Sequence, residues 1–129
     1  TTMSRNAKAL SDHLRSHPKV DRVWHAATEG GRGYEFIRRV NGGHGCLFSF
    51  TLKNPEPTSP KFYDALRVCK GPSLGTNFTL VCPYTLLAHY EELDWAESCG
   101  VSRWLLRVSA GLEDTADLIA RFDEALAKV

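Results

Sequence analysis

Apolar positions along the chain fall into two kinds of run, one spaced at three and four residues and one alternating, and the two kinds succeed each other from end to end. Ala7, Leu10 and Leu14 recur at helical spacing within "TTMSRNAKALSDHLRSH". The helix they predict stops near His17, because Pro18 biases the residue before it away from the helical region. "VDRVWHA" then sets Val20, Arg22 and Trp24 against Asp21, Val23 and His25, which predicts a short strand with a loop of turn formers, "TEGGRG", behind it. "YEFIRRV" predicts a short helical piece closing at Asn41, Gly42 and Gly43. The strongest strand signal is "HGCLFSFTL", residues 44–52, and the proline-studded "KNPEPTSP" is expected to terminate it.

In the second half, Ser59 reads as an N-cap with Pro60 at the first helical position, opening "KFYDALRVCK" with Phe62, Ala65, Leu66 and Cys69 as its buried stripe. "FTLVCPY" predicts a strand, and "TLLAHYEELDWAESCG" a helical region ended by Gly100. "RWLLRVSAG" predicts a strand with Leu106, Val108 and Ala110 on one face and Leu105, Arg107 and Ser109 on the other. Asp114 caps a final helix lined by Leu118, Ile119, Phe122, Ala125 and Leu126. Several connections are too short for parallel crossovers, so the pattern predicts one α+β domain over residues 1–129. Its sheet should be small and mostly antiparallel, with helices packed mainly on one face.

Composition narrows the functional classes. Lys and Arg number 16 against 15 Asp and Glu, a net charge of +1, and no basic stripe of the kind that tracks a phosphate backbone is present, so no nucleic-acid partner is expected. No apolar run approaches the roughly 20 residues that cross a bilayer, so no membrane partner is expected either. The four cysteines, Cys46, Cys69, Cys82 and Cys99, form no CxxC pair or zinc-type cluster and fit buried or incidental thiols in a reduced, cytoplasmic compartment. The chain opens on Thr1, already inside a helical pattern, and reads as a piece of something longer, although a processed terminus would look the same.

Few residues suggest chemistry. Arg107 interrupts an apolar strand; it is either a snorkelling side chain on the uncovered face or a planar fork for a carboxylate. Ser73, in the glycine- and proline-rich "GPSLGTNFTL", could offer hydroxyl and N–H donors to the same anion, or "GPSLG" could be a helix-to-strand turn and no more. His13 and His17 stand four apart on a helix without a completing ligand, and His25, His44 and His89 are isolated, so structural or solvated roles are expected for all. Neither "GGRGYE" nor "NGGHGC" has the strand before and helix after that a phosphate cradle needs. No metal site and no catalytic residue emerges.

The wording "KGPSLGTNFTL", "LAHYEELDWA" and "LRVSAGLED", preceded by "NAKAL", "HPKVDRVWH" and "GHGCLFSF", resembles the C-terminal domain of the Cys/Met-metabolism family of pyridoxal-phosphate enzymes. Within it the fungal cystathionine γ-synthases are most similar. The resemblance covers nearly the whole chain and implies the small domain of a fold-type I enzyme. It implies that Ser73 and Arg107 bind the substrate α-carboxylate, and that the parent enzyme joins L-cysteine to an O-acyl-homoserine. It further implies a pyridoxal phosphate held as a Schiff base by a lysine of a larger domain, and a homotetrameric parent. None of Lys8, Lys19, Lys53, Lys61, Lys70 and Lys128 has the serine/threonine-rich setting of that lysine, so this chain alone is expected to be inactive. Departures are "GHGC" where related fungal sequences read "GYGG", and "SAGLED" for "SVGLED". Sulfhydrylases and C–S lyases share most of this domain, and a freestanding, non-catalytic amino-acid-binding or interaction module is a further reading.

Overall fold

The structure, a computed structural model, describes residues 2–129. Five strands form one sheet in the order β1-β2-β5-β4-β3: β1 is Val20–His25, β2 Leu47–Leu52, β3 Cys69–Lys70, β4 Leu80–Pro83 and β5 Leu106–Ser109. Every pairing is antiparallel except β3 with β4. Helices α1 (Thr2–Ser16), α4 (Pro55–Ala65) and α7 (Thr115–Leu126) cover one face, α1 against β1 and β2, α4 against β2, and α7 across both helices. The predicted α+β arrangement is therefore the one observed.

The core sits between those helices and the sheet. Ala7, Leu10 and Leu14 meet Val23, Phe48, Phe50, Leu106 and Val108, and the helix α7 residues Phe122, Ala125 and Leu126 close over them. Phe50, Phe62 and Phe122 form an aromatic centre with ring centroids 5.7, 6.4 and 6.0 Å apart. The alternation read in β1 is broken. Val20 opposes Leu52 and Arg22 opposes Thr51, so one extra residue bulges out and Val20, Val23 and His25 all turn inward.

Other expectations need correction. Helix α4 begins at Pro55, so Ser59 is not its N-cap but a buried residue one turn before Phe62, and most of "KNPEPTSP" is helix. Pro55 and Pro57 fall in the first turn, where backbone N–H groups have no helical partner, so prolines there forfeit nothing. The Thr58 hydroxyl donates to the Lys53 and Asn54 carbonyls and ties that turn down. The helix also ends early, at Ala65, and Cys69 is an exposed residue of β3 and not part of a buried stripe. "TEGGRG" is not a loop throughout: it enters two short helices, α2 (Ala26–Glu29) and α3 (Gly31–Ile37), the first capped by His25 Nδ1, which accepts from the Ala27 N–H. The strand of residues 44–52 starts only at Leu47, and the helical region after β4 is split into α5 (Tyr84–Ala88), a 3-10 turn (Tyr90–Glu92) and α6 (Leu93–Ser98).

No described helix is long and apolar enough to cross a membrane. Because β3 has only two residues, the connection 71–79 can double back to enter β4 parallel to β3 without a helix. That connection runs alongside β5 on the sheet face the helices leave open.

Candidate functional site

Arg107 stands on the central strand, with Ser49 of β2 and Cys82 of β4 as its cross-strand neighbours. Period-two alternation puts Leu106 and Val108 into the core and turns Arg107 to the open face, where it is half-buried. Among the described residues no Asp or Glu pairs with it. Its charge is met instead by dipoles and a ring. Nη2 donates to the carbonyls of Pro72, in a very short contact, and of Ser73, at 3.3 Å, while the guanidinium carbon stands 5.4 Å from the centroid of Tyr84. Burial pushes the neighbouring Cys82 thiol up, and the charge and hydrogen bond of Arg107 offset part of that shift.

Ser73 meets Arg107, but through its backbone. Its carbonyl accepts from the guanidinium, while its exposed hydroxyl has no hydrogen-bond partner among the described residues and is open to a ligand. Gly75 adopts φ +72°, the left-handed conformation that L side chains rarely tolerate, and its N–H donates to the Ser109 hydroxyl at 2.8 Å. Further along, the Leu112 N–H donates to the Asn77 carbonyl at 2.8 Å, and the Glu113 carboxylate accepts from the Thr79 N–H at 2.6 Å and the Thr79 hydroxyl at 2.9 Å. Loop and strand are thus clasped in step, residue after residue.

Tyr84 is itself held. Its hydroxyl lies 3.4 Å from His89 Nε2, and His89 Nδ1 is 2.7 Å from Glu92. The other histidines sit apart from Arg107. His13 is not simply solvated, since its Nε2 bridges α1 to Asp123 of α7 at 2.7 Å. His25 is buried, with its ring 6.3 Å from that of His44, and His44 pairs with Glu35 at 2.8 Å. Sequence reasoning passed over Ser109, Thr79, Tyr84 and Glu113; for Ser109 a signal existed, because it shares Arg107's face two residues on.

A pyridoxal aldehyde needs a lysine amine, and no lysine of the chain faces Arg107. Lys8 pairs with Asp12, Lys19 donates to the Leu126 and Val129 carbonyls, and Lys70 turns to the helical face over Tyr63. Lys53, Lys61 and Lys128 are exposed at other places in the fold. The residues present therefore do not fit the cofactor, whereas a single unpaired cation beside bared donors suits a small carboxylate.

The chain is similar to known proteins in sequence and in fold. The family model for Cys/Met metabolism PLP-dependent enzymes matches residues 1–127. A cystathionine γ-synthase of Neurospora crassa is 49% identical over 122 residues, covering 94% of this chain and 20% of its own length. A cystathionine γ-synthase-like protein of Aspergillus thermomutatus is 42% identical over 98% of this chain and 22% of its own. An L-methionine γ-lyase of Fusobacterium nucleatum is 31% identical over 97% of this chain. The chain thus spans about a fifth of the length of the first two relatives, 20% and 22%. Among solved structures, one described as an O-acetylhomoserine (thiol)-lyase of Campylobacter jejuni, with a pyridoxyl-phosphate lysine, superposes with a TM-score of 0.83 over 98% of this chain and 30% of its own, at 22% identity. The residues matched over nearly the whole chain lead to one conclusion: the chain belongs to the Cys/Met metabolism family of pyridoxal-phosphate-dependent enzymes.

Proposed function

We propose that this chain is the C-terminal domain of a cytoplasmic cystathionine γ-synthase-like enzyme, and that it holds the α-carboxylate of the amino-acid substrate. The observation that carries the reading is the half-buried Arg107 guanidinium, without a carboxylate partner among the described residues, facing the bared "GPSLG" loop. A cation so placed offers N–H donors to an incoming carboxylate, the Ser73 hydroxyl supplies a further one, and Tyr84 limits where the guanidinium can swing.

The Neurospora and Aspergillus relatives support a γ-replacement in which the thiol of L-cysteine displaces the acyloxy group of an O-acyl-homoserine. Pyridoxal phosphate supplies the electron sink for that chemistry and is held by a larger domain. This chain's share is to orient: the carboxylate fixed at Arg107 sets the rotation of the substrate about its α-carbon. A homotetramer, with this domain packed against the large domain of its own protomer, completes the proposal.

The test is Arg107→Ala in the full-length polypeptide that carries this chain. Two charge-assisted bonds at about 1.5–3 kcal/mol each correspond to a fall in kcat/KM of roughly two to four orders of magnitude. The cofactor absorbance should not change. Kinetics within about twofold of wild type would overturn the assignment, since one decade is about 1.4 kcal/mol. The 31% identity to the methionine γ-lyase favours one second reading, a C–S lyase. Release of a thiol from an amino-acid substrate without added L-cysteine would decide for it.

A further inference from the structure

The motif "RVSAGLED" contains more than Arg107, and the carboxylate reading leaves the rest of it unused. Glu113 is the unexpected member. It is half-buried, and no Lys, Arg or His pairs with it among the described residues. A carboxylate withdrawn from water without a cation is costly unless strong hydrogen bonds replace the lost hydration. Both of its oxygens are used on one residue: Oε1 accepts the Thr79 N–H at 2.6 Å and Oε2 accepts the Thr79 hydroxyl at 2.9 Å. Thr79 is fully buried and is the last residue of the loop that begins at Gly71.

The surroundings make the clamp rigid. The Gly111 N–H donates to the Thr79 hydroxyl at 3.0 Å, and the buried Asn6 side chain donates to the carbonyls of Gly111, at 3.0 Å, and Glu113, at 2.8 Å. Helix α1 thereby holds the turn that holds the loop. Ser109 fixes the loop midway, accepting the Gly75 N–H at 2.8 Å. Arg107 meets residues 72 and 73, Ser109 meets 75, Leu112 meets 77 and Glu113 meets 79, so both segments advance together. A slip of one residue shifts the segment by about 3 Å, enough to carry the Pro72 and Ser73 carbonyls out of hydrogen-bond reach of the guanidinium.

We infer that Ser109 and Glu113 are positioning residues for the carboxylate site, setting the register at which the 71–79 loop faces Arg107. The inference rests on the carboxylate reading above. Neither side chain touches the substrate; both act through the loop.

The experiment uses the full-length polypeptide with Ser109→Ala, Glu113→Ala, Glu113→Gln and Arg107→Ala, assayed with an O-acyl-homoserine and with its carboxamide analogue. Ser109→Ala and Glu113→Ala should raise KM for the amino acid about threefold to thirtyfold while kcat stays within about twofold, because a mispositioned loop weakens carboxylate binding. KM for the carboxamide, which cannot form the charge-assisted contact, should not change. Glu113→Gln keeps one acceptor for the Thr79 N–H and should recover part of the loss. Hydrogen exchange at the Gly75 and Thr79 amides should quicken in the matching alanine variants. An equal rise in KM for both compounds, or a fall in kcat at constant KM, would overturn the positioning role. If Glu113→Ala does not fold, Ser109→Ala alone decides. An unchanged kcat/KM in Arg107→Ala would refute the carboxylate reading and the inference with it, whereas a lowered kcat/KM there beside unchanged Ser109→Ala and Glu113→Ala kinetics would refute the inference alone.

Discussion

Gly111→Ala tests the clasp at its tightest point. A Cβ at residue 111 would lie 2.5 Å from the Phe78 carbonyl carbon, 2.6 Å from its Cα and 2.5 Å from Glu113 Oε2. Carbon atoms pack without repulsion at about 3.5–4.0 Å, so the Phe78 backbone must retreat by about 1 Å. That displacement pulls Thr79 from Glu113 and strains the Gly111 contacts with Thr79 and Asn6. Overpacking costs about 1–3 kcal/mol, and three weakened hydrogen bonds add about 1 kcal/mol each, for a total of about 4–6 kcal/mol. At about 0.05–0.15 kcal/mol per residue the chain remains folded, but Tm should drop by about ten degrees or more. The control is Gly33→Ala, where nothing lies within 4 Å of the added atom and the residue sits in α3. There alanine should stabilise by about 0.5–1 kcal/mol. Thermal unfolding of the purified chain, followed by circular dichroism, separates the two. A Gly111→Ala variant melting within about 2 °C of wild type, a difference under about 1 kcal/mol, would refute the packing argument.

Two further outcomes follow from the core and from its one buried imidazole. Phe122→Ala removes a ring packed 6.4 Å from Phe50 and 6.0 Å from Phe62, centroid to centroid, and should cost about 3–5 kcal/mol, read as a lower urea midpoint at unchanged slope. Burial pushes His25 below its ordinary value of 6.5, with the neighbouring His44 adding to the effect. Between the two values the unfolded chain binds more protons than the folded one. The contribution is therefore fully present above pH 6.5 and is lost as pH falls through the window below it. His25→Asn keeps a side-chain acceptor for the Ala27 N–H but cannot titrate, so its urea midpoint should fall less between pH 7 and pH 5 than that of wild type; an equal fall would exclude His25 as the source.

Much of this protein could be read from its one-dimensional pattern, because local rules left few alternatives. Helical spacing at Ala7, Leu10 and Leu14 and at Leu118, Phe122 and Ala125, with Asp114 accepting from the Ala116 and Asp117 N–H groups, needs no distant partner to be recognised. The same holds for Arg107, since period-two alternation alone sets it opposite Leu106 and Val108. Prolines misled at α4: Pro55 and Pro57 fall in the first turn, which tolerates them, and Pro60 lies inside the helix and not at its start. The bulge at β1 was hidden for a related reason: Val20 turns inward only because Leu52 opposes it.

The site divides in the same way. Sequence alone determined that Arg107 and the "GPSLG" turn exist, what each can donate, and that one lies on a strand and the other in a loop. Only the tertiary structure decided that they meet, that the meeting is through backbone carbonyls, and that Ser109 and Glu113 hold the register. Those contacts join residues separated by more than thirty positions, 34 for both Gly75 with Ser109 and Thr79 with Glu113. No local periodicity encodes such a pairing; it exists because burying the helical face of the sheet brings β5 between β2 and β4.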